Sequence, residues 1–439
     1  MARAFAARAG SRGVTDDSPF RFEFRPGTVR YGTGCVRSLG EEVAALDADR
    51  VLVVSGQTVG TTDAVVDPVR AGLGERLVDV LAVTTPEKRV STAAAVAERV
   101  RETEADALVA VGGGSSLDVT AVAAALLSTG TDGEAAVRAV LETGGVAVGE
   151  SVPPIVAVPT TLAGADLTQV AGIGADPASV GEDGAVAHGG VSNPALMPSA
   201  LFYDPELFRT TPDDVLLPSA MNGFDKAVET VYARTATPVT DATALRALRL
   251  LRAGLPALGR GDRSDATLRR AVVGTVLAQY GVSRPDAGTL SVLHAYGHAL
   301  SRPYEFQQGG AHGLVAPAAL SHLLDEVDAR RRTLAEGLRA GAALAERGDG
   351  NADDGRDPDA VPARDINDDR DPATVVVEEV RAVRDGLGLD RRLRDVPGVE
   401  RDHLPELARA TVEDGVMGNA PAGYEPTPGA VERVLGSVW

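Results

Sequence analysis

Ala107-Leu108-Val109-Ala110-Val111-Gly112-Gly113-Gly114-Ser115-Ser116-Leu117-Asp118 decides how the first half of this chain folds. The apolar run from Ala107 to Val111 is short and bounded by a turn signal, so it reads as a buried strand. It runs straight into three glycines, and an Ala/Val/Leu helix opens behind them and continues to about Leu127. Glycine lets the backbone come close to a bound group. A helix N-terminus presents unpaired N–H groups and the positive end of its dipole to an anion. Ser115 adds a hydroxyl donor. The turn therefore reads as a phosphate-binding loop. A tight strand-to-helix turn capped by Ser115 or Ser116 stays open as a purely structural alternative. The spacing is not the G-x-G-x-x-G dinucleotide fingerprint.

Outward from the turn the alternation repeats. Residues 50–55 and 77–85 read as buried strands, 91–103 as a helix, and 154–158 as a strand ending in Pro159. Strands alternating with helices imply a parallel sheet, whose ligands lie beyond the carboxyl ends of the strands. From Pro212 the pattern changes to long Ala/Leu/Arg segments at 241–257, 265–280, 287–300, 314–338 and 373–387, which read as helices. The expected fold is an α/β dinucleotide-binding domain over 20–211, followed by an all-α domain over 212–439. Residues 1–19 are expected to be a flexible arm. Residues 347–371, dense in Asp, Gly, Asn and Pro, are expected to be a disordered acidic insertion.

Composition narrows the partners. A chain of 439 residues suits two domains. The net charge of -19 argues against nucleic acid or an anionic membrane. Of 43 basic residues only Lys88 and Lys226 are lysine. This acidic, Arg-over-Lys balance reads as halophilic, with compositional drift as the alternative. The single cysteine, Cys35, excludes an internal disulfide and a thiolate metal cluster. No apolar run of about 18 residues offers a membrane span, and residues 1–19 lack the apolar stretch of a signal peptide. A cytoplasmic location is expected.

Several ordered motifs together resemble the iron-containing alcohol dehydrogenase superfamily, nearest its maleylacetate reductase branch. The G-G-G-S-x-x-D turn at 112–118 is similar to that family's cofactor loop. Pro159-Thr160-Thr161-Leu162-Ala163-Gly164-Ala165-Asp166-Leu167-Thr168 resembles its P-T-T segment in the short form of maleylacetate reductases. Residues 200–207, ending Asp204-Pro205-Glu206-Leu207, resemble its domain-linking strand, and 219–229 the first helix of its metal-binding domain. Residues 293–317 parallel its His-rich segment, and 30–34 its opening hairpin. The resemblance spans about 20–345 and 405–439. It implies a dehydroquinate synthase-like fold and hydride transfer between NAD(P)H and a carbonyl or alcohol carbon. In many members an Asp and three His hold a divalent metal. The cofactor residues it implies are Gly56, Gly112, Gly113, Gly114, Ser115, Asp118, Thr160, Thr161 and Thr168.

The metal quartet does not carry over. Its four positions fall on Asn222, Lys226, His294 and Gln308, and only His294 is an ordinary ligand for iron or zinc. A shifted register would offer Asp225 and Glu229 with His294 and His312. The physical alternative is that Lys226 replaces the metal, its ammonium donating to the carbonyl oxygen as alkoxide charge develops. His294 and His298 lie one helical turn apart on one face. By resemblance His294 faces the substrate oxygen, His298 relays a proton near the nicotinamide, and His312 matches a second histidine of maleylacetate reductases. The expected catalytic set is thus Asn222, Lys226, His294, His298 and His312, with surface placement of the lysine or histidines as the bland alternative.

Arg302 and Tyr304 either bind a substrate carboxylate or form a surface pair. An acid at the Gly56 position would repel a 2′-phosphate, so its absence tilts the expectation towards NADP. The expected protein is an NAD(P)H-dependent reductase of a keto or enol acid, assembled as a homo-oligomer such as a dimer. A metal-dependent alcohol or polyol dehydrogenase, a dehydroquinate synthase-type lyase and a non-catalytic nucleotide-binding relative are the competing readings.

Overall fold

The computed structural model describes residues 19–175, 188–285, 287–304, 306–347, 359, 369–389 and 392–439. None of the described helices is long and apolar enough to cross a membrane. Two compact units divide the described chain: 23–216 with 283–285, and 19–22 with 217–282 and 287–439. Nearly all of the expected arm at 1–19 and most of the expected insertion at 347–371 lie outside the described residues.

The first unit is an α/β sandwich. Its strands are β1 (Thr28–Tyr31), β2 (Val51–Gly56), β3 (Leu77–Thr84), β4 (Ala107–Gly112), β5 (Ile155–Pro159), β6 (Val170–Gly174), β7 (His188–Ser192) and β8 (Ala200–Tyr203). Its helices are α1 (Leu39–Ala45), α2 (Gln57–Gly60), α3 (Asp63–Leu73), α4 (Val90–Thr103), α5 (Gly114–Thr129), α6 (Gly133–Thr143) and α7 (Pro205–Arg209). Six strands form one sheet in the order β1-β8-β5-β4-β2-β3, and every neighbouring pair is parallel. Alternation explains the two layers of helices. Val51, Val53, Val109 and Val111 enter one apolar core with α1 and α3, while Leu52, Val54 and Leu108 enter the other with α4 and α5.

Two local readings in this unit need correction, and one strand pair is new. Leu77–Thr84, expected as a buried strand, is mostly half-buried, because β3 is an outer strand of the sheet. The 30–34 segment is not a hairpin. Its residues Arg30 and Tyr31 end β1, which pairs in parallel with β8 at the opposite edge. The antiparallel pair β6–β7 was not anticipated.

The second unit is helical: α8 (Asp213–Tyr232, entering from the first unit), α9 (Pro238–Gly259), α10 (Asp265–Gln279), α11 (Val292–Ser301), α12 (Gln308–Glu326), α13 (Arg331–Arg347), α14 (Pro372–Gly386), α15 (Leu404–Glu413) and α16 (Pro428–Ser437). The segment expected to be helical from 287 begins instead with a two-residue strand, Ala287–Gly288, and the helix starts at Val292. The expected 314–338 helix is two helices. Ala329 and Arg330 take left-handed φ values of 45° and 54°, which L-residues rarely sustain in a helix, and the chain turns there. Arg330 holds that turn by donating to both carboxylate oxygens of Asp241 and to the Val231 carbonyl.

Asp359, inside the segment expected to be solvated, is fully buried. Arg269 donates to both its carboxylate oxygens across 2.8 Å, and Arg246 donates to one of them. At this residue guanidinium pairing stands in for the apolar surface that the sequence around it lacks.

Candidate functional site

In the α/β unit, β4 ends at Gly112, whose φ of 137° is open to glycine alone. A Cβ on Gly113 would come within 3.1 Å of the Thr161 side chain, so the glycine lets the segment after β5 pack close. Thr160 N donates to the Gly112 carbonyl across 3.0 Å, fixing that segment against the turn. Helix α5 then starts with Gly113 at its N-cap and no side chain capping it. Of the two serines that could cap the turn, Ser116 is engaged elsewhere: its Oγ lies 2.9 Å from Thr84 Oγ1. Gly56 sits beside this pair, since a Cβ there would lie 3.7 Å from Thr84 Oγ1 and 4.0 Å from Ser116 Oγ. Asp118 accepts a hydrogen bond from Lys88, and Thr168 accepts one from Val170 N where β6 begins. The structure thus brings Gly56, Gly112, Gly113, Gly114, Thr160 and Thr161 to one end of the sheet, whereas Thr168 is engaged at the start of β6.

In the helical unit the decisive feature is one face of α8. Asn222, Lys226 and Glu229 recur at i, i+4 and i+7, and so stack along the helix. His294 of α11 meets all three. Its Nδ1 lies 2.5 Å from Glu229 Oε2, and its Nε2 lies 3.3 Å from Lys226 Nζ and 3.2 Å from Asn222 Oδ1. Glu229 Oε1 also accepts the backbone N–H groups of Leu293 and His294, which clamps the start of α11 to α8. An ammonium can only donate, so His294 Nε2 is the accepting nitrogen and Nδ1 carries the proton towards Glu229. Asn222 Oδ1 cannot accept from that unprotonated nitrogen, whereas its amide turned end for end would donate to it. On its other side the amide lies 3.4 Å from Gln308 Oε1, so turning Asn222 requires the Gln308 amide to turn with it.

His312 packs its ring against His294, with centroids 4.5 Å apart. Its Nδ1 is 3.0 Å from Asp225 Oδ2 but out of hydrogen-bond alignment, so both side chains are fully buried without a hydrogen-bond partner. Burial, reinforced by the Lys226 charge, pushes the His294 imidazole well below its usual pKa, and burial pushes His312 down to about 3. Both rings are neutral at ordinary pH. Burial likewise holds the Asp225 carboxyl well above the usual range, helped by the neighbouring Glu229 charge and opposed by Lys226. Burial also raises Glu229, against the amide donors it accepts.

His298, one turn along α11, is partly open, and its Nδ1 lies 3.0 Å from Asp414 Oδ2. Arg302 donates to the same Asp414 oxygen across 3.0 Å. Tyr304 is engaged with His403, whose Nδ1 is 2.8 Å from the phenol oxygen. Arg302 and Tyr304 are therefore partnered with different residues and do not form a surface pair.

Two family models cover these regions: iron-containing alcohol dehydrogenase over residues 26–205, and the C-terminal domain of the same family over 217–357. Maleylacetate reductase 1 of Rhodococcus opacus is 30% identical over 334 residues, covering 75% of this chain and 81% of its own. The chain belongs to the iron-containing alcohol dehydrogenase family. Among solved structures, a 1,3-propanediol oxidoreductase matches with a TM-score of 0.77 at 21% identity, covering 96% of this chain and 100% of its own. A sulfoacetaldehyde reductase from Bifidobacterium kashiwanohense, solved with NAD+, matches with a TM-score of 0.73 at 20% identity over 96% and 99% of the two chains. This family member is an NAD(P)-dependent oxidoreductase.

The family name implies iron, and the donors of this member do not fit it. His294 is met by the Lys226 ammonium, the Asn222 amide and the Glu229 carboxylate, with the Gln308 amide beyond Asn222, and an ammonium has no lone pair to give a metal. Nor do Asp225, Glu229, His294 and His312 assemble the alternative set. Among the described residues, the one trio of His, Asp or Glu ligand atoms within 4.8 Å of one another is Glu400, Asp402 and His403, outside this cluster.

Two contributors were missed by sequence reasoning. Glu229 as the partner of His294 was legible, since it continues the helix face that holds Asn222 and Lys226. Asp414 was not, because 116 residues separate it from His298 and no spacing rule joins them.

Proposed function

We propose that this family member reduces the carbonyl of a small keto or enol acid such as maleylacetate, with NADPH favoured over NADH and without a metal. The observation that carries the reading is the Lys226 ammonium, 3.3 Å from His294 Nε2 on the helix position that matches a metal ligand in the family pattern. Bound NAD(P)H supplies the hydride. The turn of Gly112, Gly113 and Gly114 and the uncapped start of α5 receive its pyrophosphate, with Ser115, Thr160 and Thr161 as donors, Asp118 held in place by Lys88, and Thr168 closing the segment. The absence of a carboxylate at Gly56 leaves space for a 2′-phosphate.

Lys226 donates to the carbonyl oxygen and stabilises the alkoxide as it forms. Its side chain is nearly buried, a setting in which a charge acts more strongly than in water. Neutral His294, oriented by Glu229, holds the ammonium in place, and His312 packs behind the ring. Asn222 and Gln308 supply neutral polar groups around the oxygen. His298, the partly exposed ring, delivers the proton. The homology to a maleylacetate reductase supports an anionic substrate, and the acidic composition supports a salt-adapted cytoplasm. A homodimer is expected from the family resemblance.

Metal analysis with turnover before and after chelation tests this, using maleylacetate and NADPH. We expect no stoichiometric divalent metal and unchanged turnover. Lys226→Ala should lose about 10²–10³-fold in kcat while NADPH binding survives. Activity abolished by a chelator and restored by iron or zinc would establish the metal-dependent dehydrogenase instead. Tight NADPH binding with no turnover on any carbonyl would mark a nucleotide-binding relative.

A further inference from the structure

We infer that Asp414 is the positioning residue that sets the tautomer of His298 for proton transfer. This rests on the reading of His298 as the proton donor. Helix α15 ends at Glu413 and Asp414 follows in an extended conformation, with both α15 and the residues after Asp414 in contact with α11. Its carboxylate is almost fully buried and fully committed. Oδ2 meets His298 Nδ1 and accepts from Arg302 Nη1, each at 3.0 Å, and Oδ1 accepts from Val416 N at 3.0 Å. A carboxylate that accepts from two sides stays ionised. Burial would raise the Asp414 carboxyl, but the His298 hydrogen bond and the neighbouring charges outweigh it and hold it below the usual range.

The chemistry follows from this geometry. An ionised carboxylate can only accept, so His298 Nδ1 must carry a proton in both charge states of the ring. The exchangeable proton is then confined to Nε2. During reduction, hydride from NAD(P)H adds to the carbonyl carbon and the oxygen becomes an alkoxide. His298 as imidazolium gives its Nε2 proton to that oxygen, yielding the alcohol and NAD(P)+, and the ring is left as the neutral Nδ1–H tautomer. Asp414 takes up no proton at any point, because Arg302 and the Val416 amide keep both its oxygens occupied. The ring is recharged from solvent: His298 forms part of the wall of an open pocket of about 330 Å3 together with Arg302, Tyr304, His403 and Glu406. His294 and His312, the other rings nearby, are neutral and do not compete for the task.

The test compares Asp414→Asn, Asp414→Glu and His298→Gln in the full chain, with maleylacetate and NADPH. It reads kcat and KM, NADPH affinity, and the tautomer of His298 in protein labelled with 15N-histidine. Asp414→Asn should lower kcat about 10–100-fold, with KM and NADPH affinity within about twofold. The His298 nitrogen signals should move away from the pure Nδ1–H pattern. Asp414→Glu should recover most of the turnover, and in the His298→Gln background Asp414→Asn should add no further loss. Loss of turnover in His298→Gln with full turnover and an unchanged tautomer in Asp414→Asn overturns this inference alone. Full turnover in His298→Gln overturns the reading of His298 beneath it.

Discussion

A methyl group on Gly297 would come within 2.1 Å of His312 Nε2. The histidine cluster therefore depends on a residue with no side chain, placed between His294 and His298 on α11. It also depends on rings that remain uncharged, since His312 and His294 are both held far below the ordinary imidazole range by burial. Gly297→Ala should drive the His312 ring away from α11 and cost about 1–3 kcal/mol through overpacking. Turnover should fall because His294 loses the ring that packs behind it. Denaturant unfolding and kcat check this together, and wild-type values for both would show that the contact is unimportant. NADPH affinity should be unaffected, since the glycine turn belongs to the other unit.

At the scale of elements, the parallel sheet was legible because its central strands are buried on both faces and so read as continuous apolar runs, as in 107–111 and 154–158. Outer strands have one partner and less cover, and the signal there is correspondingly poorer: β3 is half-buried, and residues 30–34, which read as a hairpin, hold the end of the parallel edge strand β1. The helix break at 327–330 carries no glycine or proline to announce it. It is held by Arg330 and Asp241, a long-range pairing that local periodicity cannot register. Asp359 illustrates the same limit, since composition alone made its segment look solvated. Burial would raise its carboxyl, yet the Arg269 hydrogen bonds and the charges of Arg269, Arg246 and Arg270 hold it below the usual range. A depressed carboxyl contributes stability that is complete above its unfolded value, near pH 4, and is lost as pH falls through the folded value. Asp359→Asn should therefore lower stability at neutral pH by about 1–3 kcal/mol, as expected when arginines lose a buried partner but remain partly hydrated. The gap from the parent protein should close in acid. Thermal melts at pH 7 and pH 3 check this, and a gap that widens in acid would refute it.

For the whole molecule, the net charge of -19 sets up self-repulsion that folding must overcome. Salt shortens the reach of that repulsion from about 10 Å at 0.1 M to about 3 Å at 1 M. The thermal midpoint should therefore rise as KCl is raised from millimolar to molar concentration. A midpoint that is flat or falling across that range would show that the acidic surface is not an adaptation to salt.

The arginine-rich composition leaves two lysines in the chain, and both are in use: Lys88 on Asp118 beside the glycine turn, Lys226 on His294 within the histidine cluster. Reagents that acylate or alkylate primary amines, which decorate most proteins at random, have no neutral lysine target here. Of the two, Lys226 is nearly buried and Lys88 is 32% exposed, so amine-reactive labelling falls on Lys88 and on the chain's α-amino group.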